Sequence, residues 1–345
     1  MTVEASPRQS RRGSRHRRGG RPDVYAALDL GTNNCRLLVA RPSRDGFRVI
    51  DAFSRIVRLG EGLAANGDLS EAAIERTIDA LGVCAGKMRR RGVTRARNVA
   101  TEACRQAGNC DRFLDRVQDR TGIELEIIST GEEARLALEG CVPLFDPASP
   151  RALMFDIGGG STELLWIDNP ADGLPSIIES VSLPCGVVGF AERYGGRDVS
   201  SRTYEDMVGE VLDMLAPLES RHGIAAWVED GEVQMLGTSG TVTTLAGIHM
   251  ELPRYNRARV DGCRLTFDEA NGVARRLVDM DYDGRVAHPC IGPERADMVI
   301  AGTAIFEAIC RRWPVGQLRV ADRGLREGIL LGLMRRTRAA PHARD

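Results

Sequence analysis

Three short segments hold residues whose types and spacing suit phosphate chemistry. Asp29-Leu30-Gly31-Thr32-Asn33-Asn34 and Asp156-Ile157-Gly158-Gly159-Gly160-Ser161 each set a carboxylate at the end of an apolar run, followed at once by small residues. Backbone N–H groups of such residues can turn toward an anion, so each segment can hold a phosphate and a metal ion side by side. In the second segment Gly158, Gly159 and Gly160 leave the backbone bare to a phosphate, and Ser161 and Thr162 add hydroxyl donors. The third, Gly237-Thr238-Ser239-Gly240-Thr241, lies as a loop between a strand-like run and a helix-like run, where unpaired N–H groups collect at a positive helix end. Taken singly, a glycine triplet is equally a tight turn, and the third segment equally a helix cap. Lys87 is the only lysine, which excludes a P-loop built on G-K-[ST].

These segments need strands and helices to aim them. Tyr25–Leu30 and Cys35–Ala40 read as strands joined by a glycine-bearing turn, and the pattern returns from Ala152 at a constant offset of 127 residues, with Leu37-Leu38 falling on Leu164-Leu165. The chain therefore reads as duplicated. Ser70 caps a helix whose Ile74, Ile78, Leu81, Ala85 and Met88 form one apolar stripe. A strand near Asn98–Ala100 follows, then a short helix through Phe113, Leu114 and Val117 stopped at Gly122, then an alternating strand Glu124–Ile128. The order predicted for this half is β-β-α-β-α-β. The second half reads as a helix through Tyr204, Met207, Val208, Val211, Met214 and Leu215, a strand Val233–Leu236, and helices Val242–Ile248, Phe267–Met280 and Arg295–Arg312. A strand Gln317–Val320 and a final helix through Leu330 complete it. Alternating strands and helices argue α/β layers in both halves, with a ligand cleft between them.

A chain of 345 residues has room for two domains, and 43% hydrophobic with 28% charged residues excludes a fully disordered or fibrous protein. No apolar run approaches the roughly 20 residues of a membrane span, so no membrane association is expected. Basic and acidic residues nearly balance at 47 and 48, but Arg8, Arg11, Arg12, Arg15, Arg17, Arg18 and Arg21 crowd one end. That end reads as a basic disordered tail, and it leaves the body net acidic, without the overall field that would draw a specific nucleic acid. Nine cysteines without a CxxC pair and five scattered histidines disfavour zinc sites and disulfides and suit a reducing cytoplasm.

Six ordered segments, DLGTNNCRLLVARP, VATEACRQAGN, IISTGEEARLALEG, MFDIGGGSTELLWI, MLGTSGTVTTLAGI and VADRGLREGIL, resemble the exopolyphosphatase/guanosine pentaphosphate phosphohydrolase family from Tyr25 to Leu330. The resemblance implies a duplicated actin-like α/β fold of two domains, of the ribonuclease H-like, sugar kinase/heat-shock chaperone/actin superfamily, with the site in the interdomain cleft. On that basis residues 1–22 are a tail, 23–130 with a C-terminal helix at about 322–337 form the first domain, 131–321 form the second, and 338–345 are again a tail. It further implies Mg²⁺-dependent release of the terminal phosphate from inorganic polyphosphate or pppGpp (guanosine pentaphosphate), a role in the stringent response, and is compatible with a homodimer.

Residue by residue, Glu133 matches the family's catalytic base and Glu163 a second glutamate tied to activity. Asp156 matches the metal-linked aspartate, and Asp29 holds the equivalent place in the first hairpin as a further Mg²⁺ ligand, directly or through water. Thr32, Asn33 and Arg105 match positions facing the phosphate chain, and Gly158, Gly159, Gly160, Ser161, Thr238, Ser239, Gly240 and Thr241 of the two loops read above join them as expected phosphate-binding residues. Arg295, Arg323 and Arg326 read as structural or interdomain residues. Ser129-x-x-Glu132 and Thr130-x-x-Glu133 both also fit a capping box, so on residue type alone either glutamate could serve the helix start. Two departures stand out. Asn34 replaces a common serine, and the chain stops soon after DRGLREG, where longer relatives add a helical domain; a preference for shorter chains or nucleotides is expected. The rival readings are an actin-like ATP-dependent kinase and a (p)ppGpp or polyphosphate sensor without turnover.

Overall fold

The computed structural model describes residues 23–339 apart from Asp45, so the Arg-rich segment read as a tail lies outside the described residues. In the first half β1 (Tyr25–Leu30), β2 (Asn34–Ser43), β3 (Gly46–Ile56), β4 (Arg95–Ala100) and β5 (Glu126–Ile127) form one sheet in the order β3-β2-β1-β4-β5. In the second, β6 (Arg151–Ile157), β7 (Thr162–Asp168), β8 (Ser176–Leu183), β9 (Val233–Thr238), β10 (Arg264–Thr266) and β11 (Gln317–Ala321) form another in the order β8-β7-β6-β9-β11-β10. In both, the first three strands are antiparallel neighbours and the next joins the central strand in parallel. One topology is thus used twice, as the duplicated actin-like α/β fold requires.

The duplication reaches individual hydrogen bonds. Gly31 N–H donates to Asn34 O at 2.9 Å, and Gly158 N–H donates to Ser161 O at 2.9 Å, closing the two hairpin turns alike. Asp29 pairs with Arg36 across the first hairpin and Asp156 with Glu163 across the second. The same rung therefore carries opposite charges in the two copies.

The helices that matter for the site are α1 (Glu71–Arg91), α2 (Glu102–Gln106), α3 (Thr130–Cys141), α4 (Val187–Tyr194), α5 (Ser201–His222), α6 (Ser239–His249), α7 (Val299–Arg312) and α8 (Leu325–Ala339). Ser70 caps α1 by accepting from Ala73 N at 3.2 Å, and Gly92 ends it in the left-handed region at φ 64°. Of the expected stripe, Ile74, Ile78, Leu81 and Ala85 are buried and Met88 is half-buried. Each sheet has its own large core, with Leu28, Leu37 and Phe113 in the first and Phe155, Trp166, Phe306 and Trp313 in the second. Because side chains alternate along a strand, the opposite sheet faces remain to be covered. α3 and α8 do this together: Ala134 and Leu138 pack on Met154 and Leu165, while Leu136, Ile329 and Leu330 pack with Tyr25 and Leu38. The two helices touch backbone to backbone. A β-carbon on Gly140 would lie 2.0 Å from Gly324 O, and one on Gly328 would lie 2.0 Å from Leu136 O.

Several expectations need correction. β3 and β8 were not foreseen, because they are edge strands: β3 buries no residue fully, and Arg48, Asp51 and Arg55 interrupt its apolar pattern. The strand expected over Glu124–Ile128 shrinks to Glu126–Ile127, and the helix expected from Arg295 begins at Val299. Most relevant to the site, 237–241 is not a loop, since β9 runs through Thr238 and α6 starts at Ser239. The chain turns there by placing Ser239 at φ 79°, a conformation that a non-glycine residue holds only where its surroundings impose it.

Candidate active site

Between the two sheets lies a cavity of about 700 Å³. Both hairpin turns reach it, and so do the first turn of α3, the start of α6, and segments 289–299 and 322–327. Of the expected site residues, Asp29, Thr32, Asn33, Glu133, Asp156, Gly158, Gly159, Gly160, Ser161, Glu163, Thr238, Ser239, Gly240 and Thr241 all line it. Arg105 does not.

The glycine triplet has a packing role in addition to the one foreseen. A β-carbon on Gly159 would stand 2.9 Å from Asn33 Cβ, and one on Gly160 2.7 Å from Thr32 Oγ1, so the absence of side chains lets the two turns press together. The Gly158 and Gly159 carbonyls accept from Val187 N and Val188 N at 3.0 and 2.9 Å, which ties this turn to the start of α4. The Thr162 hydroxyl is used internally, donating to Cys185 O at 2.6 Å. Thr238 donates to Arg323 O at 2.9 Å and Ser239 to Ile157 O at 2.6 Å, so both hydroxyls brace the third segment.

At the head of α3 the capping ambiguity resolves by geometry. Ser129 Oγ accepts from Glu132 N at 3.2 Å, and the Glu132 carboxylate turns away to Arg97 at 2.8 Å. Glu133 faces the cavity. Arg105 on α2, expected at the phosphate chain, instead forks between Glu102, at 2.7 and 2.9 Å, and Glu133 Oε2, at 2.8 Å, with a further bond to Ile128 O. Two carboxylates within reach outcompete the cleft for its planar guanidinium, and its effect is to fix where Glu133 points. Glu163, 7% exposed, accepts from Ser161 Oγ at 2.5 Å and Ser182 Oγ at 3.0 Å.

Four carboxyls share a poorly hydrated space, and their protonation reflects it. Burial, then the neighbouring Glu163 charge, pushes Glu133 up to about 8 despite Arg105. Burial and then Asp156 push Glu163 up to about 7. Burial raises Asp156 to about 6 and lifts Asp29 as well, with Arg36 opposing both shifts. The surroundings thus favour protons or a cation at this end of the cavity.

Sequence reasoning missed Arg36. It lines the cavity beside Asp29, and the signal was available, because the offset of 127 sets it against Glu163. Among the described residues it has no ion-pair partner, and neither has Arg326, whose buried guanidinium loses some of its affinity for a proton through desolvation. Arg295 also lines the cavity, with one long bond to Thr244 Oγ1 at 3.3 Å. Arg323 lines the cavity too, but its guanidinium pairs with Asp261 at 3.0 Å, as a structural role requires.

Two copies of one α/β unit around a cleft with an acidic end and arginines lacking an ion-pair partner among the described residues define an actin-like protein with a charged interdomain site. The chain belongs to the Ppx/GppA phosphatase family, whose profile matches residues 38–337. It is 31% identical over 328 residues to exopolyphosphatase 2 of Mycobacterium tuberculosis (strain CDC 1551 / Oshkosh), covering 89% of this chain and 98% of that one. The crystal structure of the Aquifex aeolicus Ppx/GppA family member superposes with a TM-score of 0.75 at 26% identity, covering 92% of this chain and 99% of that one. An exopolyphosphatase from Cytophaga hutchinsonii shares the fold, with a TM-score of 0.81 at 23% identity over 91% of this chain and 98% of that one. Among the described residues no helix is long and apolar enough to cross a membrane.

Proposed function

We propose that the cleft releases the terminal phosphate of inorganic polyphosphate or guanosine pentaphosphate by attack of water, with Glu133 as general base. The observation that carries this reading is Glu133 itself, a carboxyl aimed by Arg105 into the cavity that both glycine-bearing turns enter, with its affinity for a proton raised to about 8. A phosphoanhydride has a good leaving group, so positioning and charge neutralisation supply most of the catalysis and no covalent nucleophile is needed. Backbone N–H groups of the two turns and of the α6 start hold phosphate oxygens, Arg36 and Arg326 balance their charge, and Glu163, pinned by two serines, keeps the acidic end fixed.

Asp29 and Asp156 suit a hard cation. Both are carboxylates facing the cavity, neither is held in an ion pair among the described residues, and hard oxygen donors are what Mg²⁺ takes. When bound, Mg²⁺ supplies neutralisation of the anhydride oxygens.

The test is phosphate release from defined-length polyphosphates, pppGpp and ATP, each with Mg²⁺ and with chelator. Release from a phosphoanhydride end that chelator abolishes is the expected result; release from none of them refutes the reading. Asp156→Asn is expected to move the Mg²⁺ titration to about tenfold higher concentration, in the range typical for loss of a group that supports a metal site. An unmoved titration removes Asp156 from the metal. Arg105→Lys keeps a charge but loses the fork, so turnover should fall about tenfold with KM little changed, since a side chain that orients the base acts in the transition state. A change confined to KM would return Arg105 to the phosphate chain.

A further inference from the structure

Outside the cavity the two halves are joined across its rim. The segment after β3 carries Arg58, whose Nη1 and Nη2 donate to the two oxygens of Asp297 at 2.8 and 3.0 Å, and whose Nη2 also donates to Glu294 O at 3.1 Å. Nearby, Gly62 N–H donates to Glu192 Oε1 on α4 at 3.0 Å. A bidentate arginine–carboxylate pair is the strongest kind of side-chain bridge, and this one is only 29% and 25% exposed at its two side chains. Arg58 sits at φ 48°, a left-handed conformation that persists only when contacts on both sides impose it.

Both ends of this bridge lead directly to the site. Val57 N and Arg58 N donate to Asn33 O at 2.8 and 3.1 Å, and Gly60 N donates to Thr32 O at 2.9 Å, so the segment is bonded to the Thr32–Asn33 turn. Asp297 stands two residues from Arg295, which lines the cavity, and Glu294, whose carbonyl is also held, adjoins it. Arg58 itself does not line the cavity.

We propose that Arg58 is a positioning residue: its clasp on Asp297 fixes the spacing between the Thr32–Asn33 turn and the Arg295 segment, and so the width of the cleft that receives the substrate's phosphates. This rests on the functional reading above. Without the clasp each half keeps its own fold, but the phosphate donors of the two halves no longer face one another at a set distance, and binding suffers more than chemistry.

The experiment compares Arg58→Ala, Arg58→Lys and the exchanged pair Arg58→Asp/Asp297→Arg with the wild type, measuring kcat and KM for phosphate release from tripolyphosphate and hydrogen exchange over residues 57–62 and 294–297. Arg58→Ala is expected to raise KM about tenfold with kcat within about threefold, a split that loss of binding geometry produces and a lower folded fraction does not. Exchange should quicken in both segments. Arg58→Lys should fall between, and the exchanged pair should recover most of the lost KM, helped by the tolerance of aspartate for φ above zero. An unchanged KM in Arg58→Ala, or slow exchange in both segments of that variant, overturns the clasp. If the wild type releases phosphate from no phosphoanhydride, the functional reading fails, and hydrogen exchange alone decides whether the clasp exists.

Discussion

Glu133→Gln should reduce phosphate release by about 10²–10⁴-fold, the usual contribution of a positioned general base, while polyphosphate still binds. Gln retains an oxygen that can accept from Arg105, so the variant keeps the shape of the site and removes only the proton acceptor. The pH dependence offers a second reading of the same role. A base must be ionised to act, and Glu133 is held up at about 8, with Glu163 at about 7 and Asp156 at about 6. The wild-type kcat/KM, which reports the free enzyme, should therefore climb with pH through the 6–8 interval and level off above it. Since these carboxyls interact, the climb belongs to the group as a whole and should be gradual. Glu133→Gln should lose the uppermost part of that climb. A variant as fast as wild type would return Glu133 to a purely local role at the start of α3.

Gly328→Ala should strongly destabilise the junction of the two halves. The new β-carbon would stand 2.0 Å from Leu136 O, an obstacle made of backbone, so α3 and α8 must separate. Overpacking of this kind costs about 3 kcal/mol or more where neither side can yield. Alanine's better helix propensity, roughly 1 kcal/mol over glycine, opposes this without cancelling it. Gly332 in the same helix is the control, because a β-carbon there meets nothing within 4 Å. Thermal unfolding should thus show Gly328→Ala several degrees below wild type and Gly332→Ala level with it or slightly above. Equal midpoints for the two variants would show that the helix pair is not held by backbone contact. Because α3 also carries Glu133, lower turnover is expected to accompany the lower midpoint in Gly328→Ala.

Much of this architecture was legible along the chain, and the reasons are local. A strand buried on both faces, such as β1 or β6, must be apolar almost throughout, and a turn that closes on itself must be small, so the Asp-x-Gly hairpins announce themselves twice. Ser70 and Gly92 mark the two ends of α1 by their own chemistry. Edge strands carry no such requirement. β3 passed unseen because solvent tolerates Arg48 and Arg55 on it, although Ala52, Phe53 and Ser54 reach the cavity. The third glycine-bearing segment was misread as a loop because propensity weighs against a serine at positive φ, whereas packing between β9 and α6 imposes one at Ser239.

The sequence by itself determined the repeated unit, the three glycine-bearing segments and the carboxylates available to them, because each depends on residues a few positions apart. Only the tertiary structure decided what those residues do for one another. Arg105 lies 28 positions before the glutamate it aims, and Arg58 lies 239 before the aspartate it grips. The glycines of the second turn prove to be spaces for Thr32 and Asn33 of the first. Such pairings are set by how two separately folded sheets meet, through electrostatics and excluded volume acting across the cleft, and no local pattern along the chain records them.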